Sequence, residues 1–324
     1  MSLHLTSPQR AINAQQVVNA QAVMDAHARS FSWAARFLLP EARRDAAQLY
    51  AFARLADDLA DEEALGEWAD RMAQLQALES SALNPGSGIE LGHRVGKMLL
   101  SKGVSAAVIR NFMDCLSQDA NPRCIQTTEE LLQFAYGAAG TVGQMMCPIL
   151  GAASKAQPYA TALGVGMQLT NIARDVVEDA ARGRCYIPAQ WGVSAEALHA
   201  PHSPAEAVQS FTAIQKLLNL ADDFYAYSQQ GFEHIPAGNR RAIRIAAALY
   251  RGIGQKILGL GAAHYWRGRT SLGRFEKMKL IVACYTGANK LPSTAVRDVV
   301  GNDLKHLALI PGFPASALCA THVI

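Results

Sequence analysis

Two short stretches hold side chains whose types and spacing could do chemistry. In residues 168–188 (QLTNIARDVVEDAARGRCYIP), Asn171, Asp175 and Asp179 follow one another at intervals of four. On a helix they form one polar stripe, with Arg174, Glu178 and Arg182 on the stripe beside it. Each step along a stripe is roughly 6 Å of helix rise. In residues 54–61 (RLADDLAD), Asp57 and Asp61 are again four apart, with Asp58 between them and Arg54 a turn earlier. Alone, the run that begins at Asp57 reads equally well as a solvated acidic face, whereas the stretch at 168–188 carries more. That stretch is harder to dismiss, because Asn171, Arg174 and Asp175 stand among Leu169, Ile172, Val176 and Val177, which pack. Asparagine is a mediocre helix former, yet here it supplies a neutral oxygen one turn before a carboxylate. Two such faces turned toward each other make a site for hard cations, and oxygen donors without His or Cys point to magnesium or manganese rather than zinc.

Magnesium commonly joins one or two carboxylates to a substrate's phosphates, so facing acidic stripes can hold an anion they would otherwise repel. A diphosphate fits. If it is also a leaving group, cations stabilise the charge developing on it and let an allylic carbon depart as a cation. Arg54 and Arg174 would add hydrogen bonds to the same oxygens.

The elements that position these stripes are helical. Ala, Leu and Ile recur at helical spacing nearly throughout, and alternating Val/Ile/Thr runs bounded by turns are absent. The pattern predicts helices over about 9–29, 40–63, 89–101, 105–117, 127–150, 159–181, 204–230, 236–266 and 271–287, with another ending near Ser80 and an irregular tail after Lys305. No repeat or long polar linker interrupts the 324 residues, half of which are hydrophobic, so the expectation is one all-α domain over 1–324. A formal charge of +3 without a basic tract excludes a nucleic-acid partner. The six cysteines, Cys115, Cys124, Cys147, Cys185, Cys284 and Cys319, lack metal-type spacing, and residues 1–10 do not resemble a signal peptide. Both point to a reducing, cytoplasmic setting with the cysteines as small buried hydrophobes. The uncharged window between Glu130 and Lys155 is long enough to span a bilayer, but Gln133, Tyr136, Gln144, Pro148 and four glycines make a buried bundle helix the better reading.

Several ordered segments together resemble the squalene and phytoene synthases: Ser30-Phe31-Ser32, the acidic run in residues 50–61, YGAAGTVG at 136–143, and residues 168–188. The resemblance implies an isoprenoid synthase bundle around a central cavity. The implied reaction joins two prenyl diphosphates to a cyclopropyl diphosphate, which ionises, rearranges and loses a proton. Carried over by position, Asp57, Asp61, Asn171, Asp175 and Asp179 act on magnesium and diphosphate, with Asp58 and Glu178 as weaker members. Arg54, Arg174 and Ser30 touch diphosphate oxygens, joined toward the C-terminus by Tyr250, counted with the catalytic set, and Arg269. Gln168, Tyr50, Tyr136 and Tyr186 line the cavity or steer cations, although each tyrosine alone reads equally well as core packing. The product implied is phytoene from geranylgeranyl diphosphate, with squalene or dehydrosqualene from farnesyl diphosphate as the alternative. A non-catalytic prenyl-lipid scaffold is the alternative of another class, disfavoured because both acidic pairs are intact. Contact with a membrane surface stays open for a lipid substrate, and no oligomeric state is implied.

The decoys are weaker. Asp222-Asp223 lacks a second carboxylate one turn on and reads as a surface pair. Gly252, Gly254, Gly259 and Gly261 lack the spacing and preceding strand of a dinucleotide loop, so NADPH is not expected. A di-iron bundle needs two ExxH motifs on core helices, and Glu196 to His199, which has that form, stands in a Pro-flanked region.

Overall fold

Apolar residues at three- and four-residue intervals fold this protein into helices in a computed structural model that describes residues 20, 29–61, 65–84, 86 and 88–286, apart from the side chains of Arg29 and Ser30. In order they are α1 (Arg29–Ala35), α2 (Pro40–Asp61), α3 (Trp68–Leu83), α4 (Glu90–Ser101), α5 (Ala106–Asp119), α6 (Thr128–Ala135), a π-helical turn (Tyr136–Gly140), α7 (Thr141–Ile149), α8 (Gln157–Ala181), α9 (Ala195–His199), α10 (Pro204–Ser228), α11 (Ala237–Leu260), α12 (Ala262–Tyr265) and α13 (Arg274–Thr286). No strand forms among the described residues, and a single parallel bridge pairs Cys124 with Cys185. The fold is all-α, as expected. The expected helix at 9–29 and the tail after Lys305 lie outside the described residues, as does Cys319. Cys147 and Cys185 are buried, whereas Cys124 is exposed.

Two expected helices are interrupted. The one over 127–150 runs as α6, the π turn and α7, and the one over 236–266 stops at Gly261, whose φ of 71° lies in the left-handed region that glycine tolerates. The π turn coincides with YGAAG, in keeping with the tendency of such insertions to sit at working parts of a helix.

Helix α8 is the axis of the bundle and packs against α10, α7, the π turn and α11. Its crossing with the π turn and α7 is close because Gly164 faces the Ala139 carbonyl of the turn and Gly143 of α7 faces that of Ala160. At one end of the bundle, the buried Asn239 side chain of α11 accepts from the Leu39 amide at 2.9 Å and donates to the Leu150 carbonyl at 3.0 Å. It thereby ties the start of α2 to the end of α7. Asn239→Ala strands two backbone groups and is expected to cost about 2 kcal/mol, read as a lower urea midpoint at unchanged slope. At the other end, the buried Arg71 of α3 donates to the Leu59 and Ala60 carbonyls at 3.1 and 2.9 Å. These are among the free carbonyls at the C-terminus of α2, so Arg71 fixes the helix end that carries the first acidic run.

Candidate active site

The walls supplied by α2, α6 to α7, α8 and α11 enclose one elongated cavity of about 1040 Å³. Its polar end gathers Asp57 and Asp61 from α2 and Asn171, Asp175 and Asp179 from α8, so the two acidic stripes share one space. Away from them the lining turns apolar, through Leu49, Val142, Met146, Leu163, Phe232 and Ile243.

Arginines are interleaved with the carboxylates. Arg174 and Arg269 both grip Asp175 with two hydrogen bonds, at 2.7 and 2.5 Å and at 2.6 and 2.9 Å. Arg54 pairs with Asp57 at 3.3 Å and with Asp58 at 2.5 Å. Arg184, just past the end of α8, reaches across to Asp61 at 2.8 Å. Behind these groups the Tyr186 hydroxyl donates to the buried Asp119 at 2.6 Å, and the Tyr186 ring stacks on Phe134 with centroids 4.5 Å apart.

This crowding sets the charge states. Burial and then the neighbouring Asp61 push Asp57 up to about 7. Burial and then Asp175 push Asp179 up to about 7. Burial alone would raise Asp175 as well, but its bonds from Arg174 and Arg269 hold it below the usual carboxylate range. Two carboxylates that resist ionising beside like charges, with only oxygen donors around them, form a donor set that hard cations would relieve. Among the described residues no three His, Cys, Asp or Glu side chains stand together as a metal cluster of their own.

Of the residues expected in the site, Tyr50, Arg54, Gln168, Arg174, Tyr186, Tyr250 and Arg269 line the cavity with the five stripe residues. Asp58 and Glu178 do not. Nor does Tyr136: Phe134 and Ala138, one turn apart, face the cavity, which turns Tyr136 to the opposite side, where its hydroxyl accepts from Asn111 at 3.3 Å. Ser30 lies on α1, and its side chain is outside the described residues. Asp119 and Arg184 are lining residues that spacing did not reveal. Asp222 is not a bare surface acid, since Arg251 holds it with bonds of 2.9 and 2.8 Å.

Residues 24–276 match the family model described as squalene/phytoene synthase. The chain belongs to that family. A phytoene synthase of Thermus thermophilus is 33% identical over 82% of this chain and 91% of its own length. A 15-cis-phytoene synthase of a Paracoccus species is 32% identical over 78% and 86%. Among solved structures, a dehydrosqualene synthase with bound ligand superposes with a TM-score of 0.69 at 22% identity, over 87% of this chain and 99% of that one. A squalene synthase from Alicyclobacillus acidocaldarius gives 0.64 at 20% identity, over 79% and 97%. These two share the squalene/phytoene synthase fold with this chain, which is a prenyltransferase of that family.

Proposed function

We propose that this synthase joins two molecules of geranylgeranyl diphosphate head to head to give phytoene. The observation that carries the reading is one cavity with paired carboxylates and arginines at one end and an apolar wall over the rest. In the first half, one diphosphate leaves, and the allylic cation closes a cyclopropane on the double bond of the second molecule with loss of a proton. In the second half, the cyclopropyl diphosphate ionises, rearranges and loses another proton, so each half releases one diphosphate and one proton.

Asp57 and Asp61 on one side, and Asn171, Asp175 and Asp179 on the other, would hold magnesium or manganese. Bound there, the cations would neutralise the departing diphosphate and lower the barrier to ionisation. Arg54, Arg174, Arg269 and Ser30 would bind phosphate oxygens, the arginines exchanging carboxylate for phosphate partners. Burial raises the Tyr250 phenol, so it keeps its proton at neutral pH and can donate to the leaving oxygen. Tyr50, pushed up to about 12 by burial, also stays neutral and offers its ring face to a passing cation. Gln168 and the Tyr186–Phe134 stack would border the chains.

A reaction that ends in proton loss needs no reductant, so NADPH has no part. Phytoene is preferred to a farnesyl-derived product because the relatives at 30–33% identity are named phytoene synthases. Among the described residues no helix is long and apolar enough to cross a membrane, and we extend the proposal to peripheral contact with the bilayer that holds the lipid substrate. The test offers geranylgeranyl and farnesyl diphosphates, each with magnesium and with or without NADPH, and identifies the hydrocarbon by mass. Phytoene independent of NADPH is expected. A product from farnesyl diphosphate alone overturns the chain length, and no product from either overturns the enzyme reading in favour of a binding scaffold.

A further inference from the structure

We infer that Tyr159, at the cavity end farthest from the acidic stripes, is the wall that measures the prenyl chain. This rests on the proposed function and adds the residue that would set its substrate length. Helix α8 serves as a ruler because it lines the cavity from Tyr159, near its start, to Asp175 and Asp179, near its end. From Asp175 back to Tyr159 is about 24 Å of axial rise. A second ruler runs the other way along the facing wall, from Phe134, stacked on Tyr186 at the polar end, to Leu150, held by Asn239 at the apolar end. Its length is comparable, somewhat shortened by the π turn that it contains.

A diphosphate with its cations occupies roughly one helical turn at the polar end, which leaves about 19 Å. An extended isoprene unit advances roughly 5 Å, four carbon–carbon bonds of about 1.5 Å in zigzag. Three units stop short of Tyr159, four reach it, and five overrun it.

The far end is built around that ring. Gly231 leaves space for it: a Cβ there would lie 2.3 Å from the Tyr159 Cβ. Tyr227 packs on the ring at a centroid distance of 4.9 Å and His234 at 6.0 Å, so the ring is backed by other side chains. Beside the ring the lining is small at Ala152 and Ala156 and larger at Phe232 and Ile235, so trimming the ring opens space between them.

The test measures kcat/KM for farnesyl (C15), geranylgeranyl (C20) and geranylfarnesyl (C25) diphosphates, with magnesium, in the full-length protein and three variants. Tyr159→Ala is expected to raise the C25-to-C20 ratio by about tenfold or more, because five extra carbons gain room. Tyr159→Phe keeps the ring and is expected to leave every ratio unchanged. Ala152→Phe adds bulk at the same end and is expected to move the ratio by about tenfold toward C15. If the wild type makes a hydrocarbon while Tyr159→Ala and Ala152→Phe, folded by circular dichroism, keep its ratios, Tyr159 is not the measuring wall and the proposed reaction stands. If the wild type turns over none of the three, the reaction itself is overturned, and this inference with it.

Discussion

Asp57→Asn and Asp175→Asn are each expected to cut hydrocarbon synthesis by roughly a hundred- to a thousandfold while shifting heat stability in opposite directions. Both remove a carboxylate from the polar end of the cavity, so both remove a donor for the cations that would carry the leaving diphosphate. Their folded-state electrostatics differ. The Asp57 carboxyl is raised from 3.8 to about 7, by burial and then by Asp61. A raised acid costs nothing below its unfolded pKa and becomes a burden as pH climbs from about 4 to about 7. Water reaches this side chain, which is 45% exposed, so screening holds the burden to about 1 kcal/mol. Asparagine removes it, and without added cation the variant should melt about 2 °C higher at pH 8 and no higher at pH 4. Asp175 has the opposite sign. It is depressed by Arg174 and Arg269 despite its burial, so it contributes stability above the usual carboxylate range that is lost in acid. Asp175→Asn leaves two guanidinium groups without their carboxylate and should cost about 2 kcal/mol at pH 8. Scanning calorimetry at both pH values checks the pair, and equal destabilisation of both variants at pH 8 would sink the account of their charge states.

Gly164→Val is expected to have the largest effect on the fold. A Cβ on Gly164 would stand 2.1 Å from the Ala139 carbonyl oxygen and 2.7 Å from its carbon. The reciprocal contact, Gly143 on the Ala160 carbonyl, is also 2.1 Å, so each helix backbone lies on the other's glycine. Backbone cannot swing aside as a side-chain tip can, so α8 must separate from the π turn and from α7, which continues it, and reopen the core they close. The cost should be at least about 3 kcal/mol, seen as a lower urea midpoint or as insoluble protein. Gly259→Ala is the control. It is exposed on α11, nothing lies within 4 Å of the added methyl, and alanine is the better helix former, so about 0.5 kcal/mol of stabilisation is expected. A Gly164→Val protein as stable as the control would contradict the close crossing.

Much of this site was legible because a helix converts spacing into direction. Intervals of four put Asp57 with Asp61, and Asn171 with Asp175 and Asp179, and the structure gathers all five at one end of the cavity. That two stripes more than a hundred residues apart face each other is tertiary information, carried in the sequence only by the need of such charge for a partner. Asp119 and Arg184 escaped for the same reason. Asp119 is a lone acid at a helix end, and its meaning comes from Tyr186, 67 residues away, whose hydroxyl it accepts. Arg184 is a loop arginine until the turn at Gly183 brings it to Asp61. Tyr136 misled because an aromatic residue in a glycine-rich helix reads the same from either face, and only the neighbours Phe134 and Ala138 say which face is the cavity. The helix breaks at the π turn and at Gly261 belong to the same class, since glycine permits such departures without requiring them.

The central claim is that the two acidic stripes act as one cation-dependent diphosphate site at the polar end of an otherwise apolar cavity. Calorimetric titration of the full-length protein with geranylgeranyl thiolodiphosphate, which resists ionisation, tests it most directly when run with magnesium and again with excess chelator. The account predicts binding in magnesium, with affinity lower by about a hundredfold or more both in chelator and for Asp57→Asn in magnesium. Equal affinity with and without magnesium, or an unchanged affinity in Asp57→Asn, would contradict it.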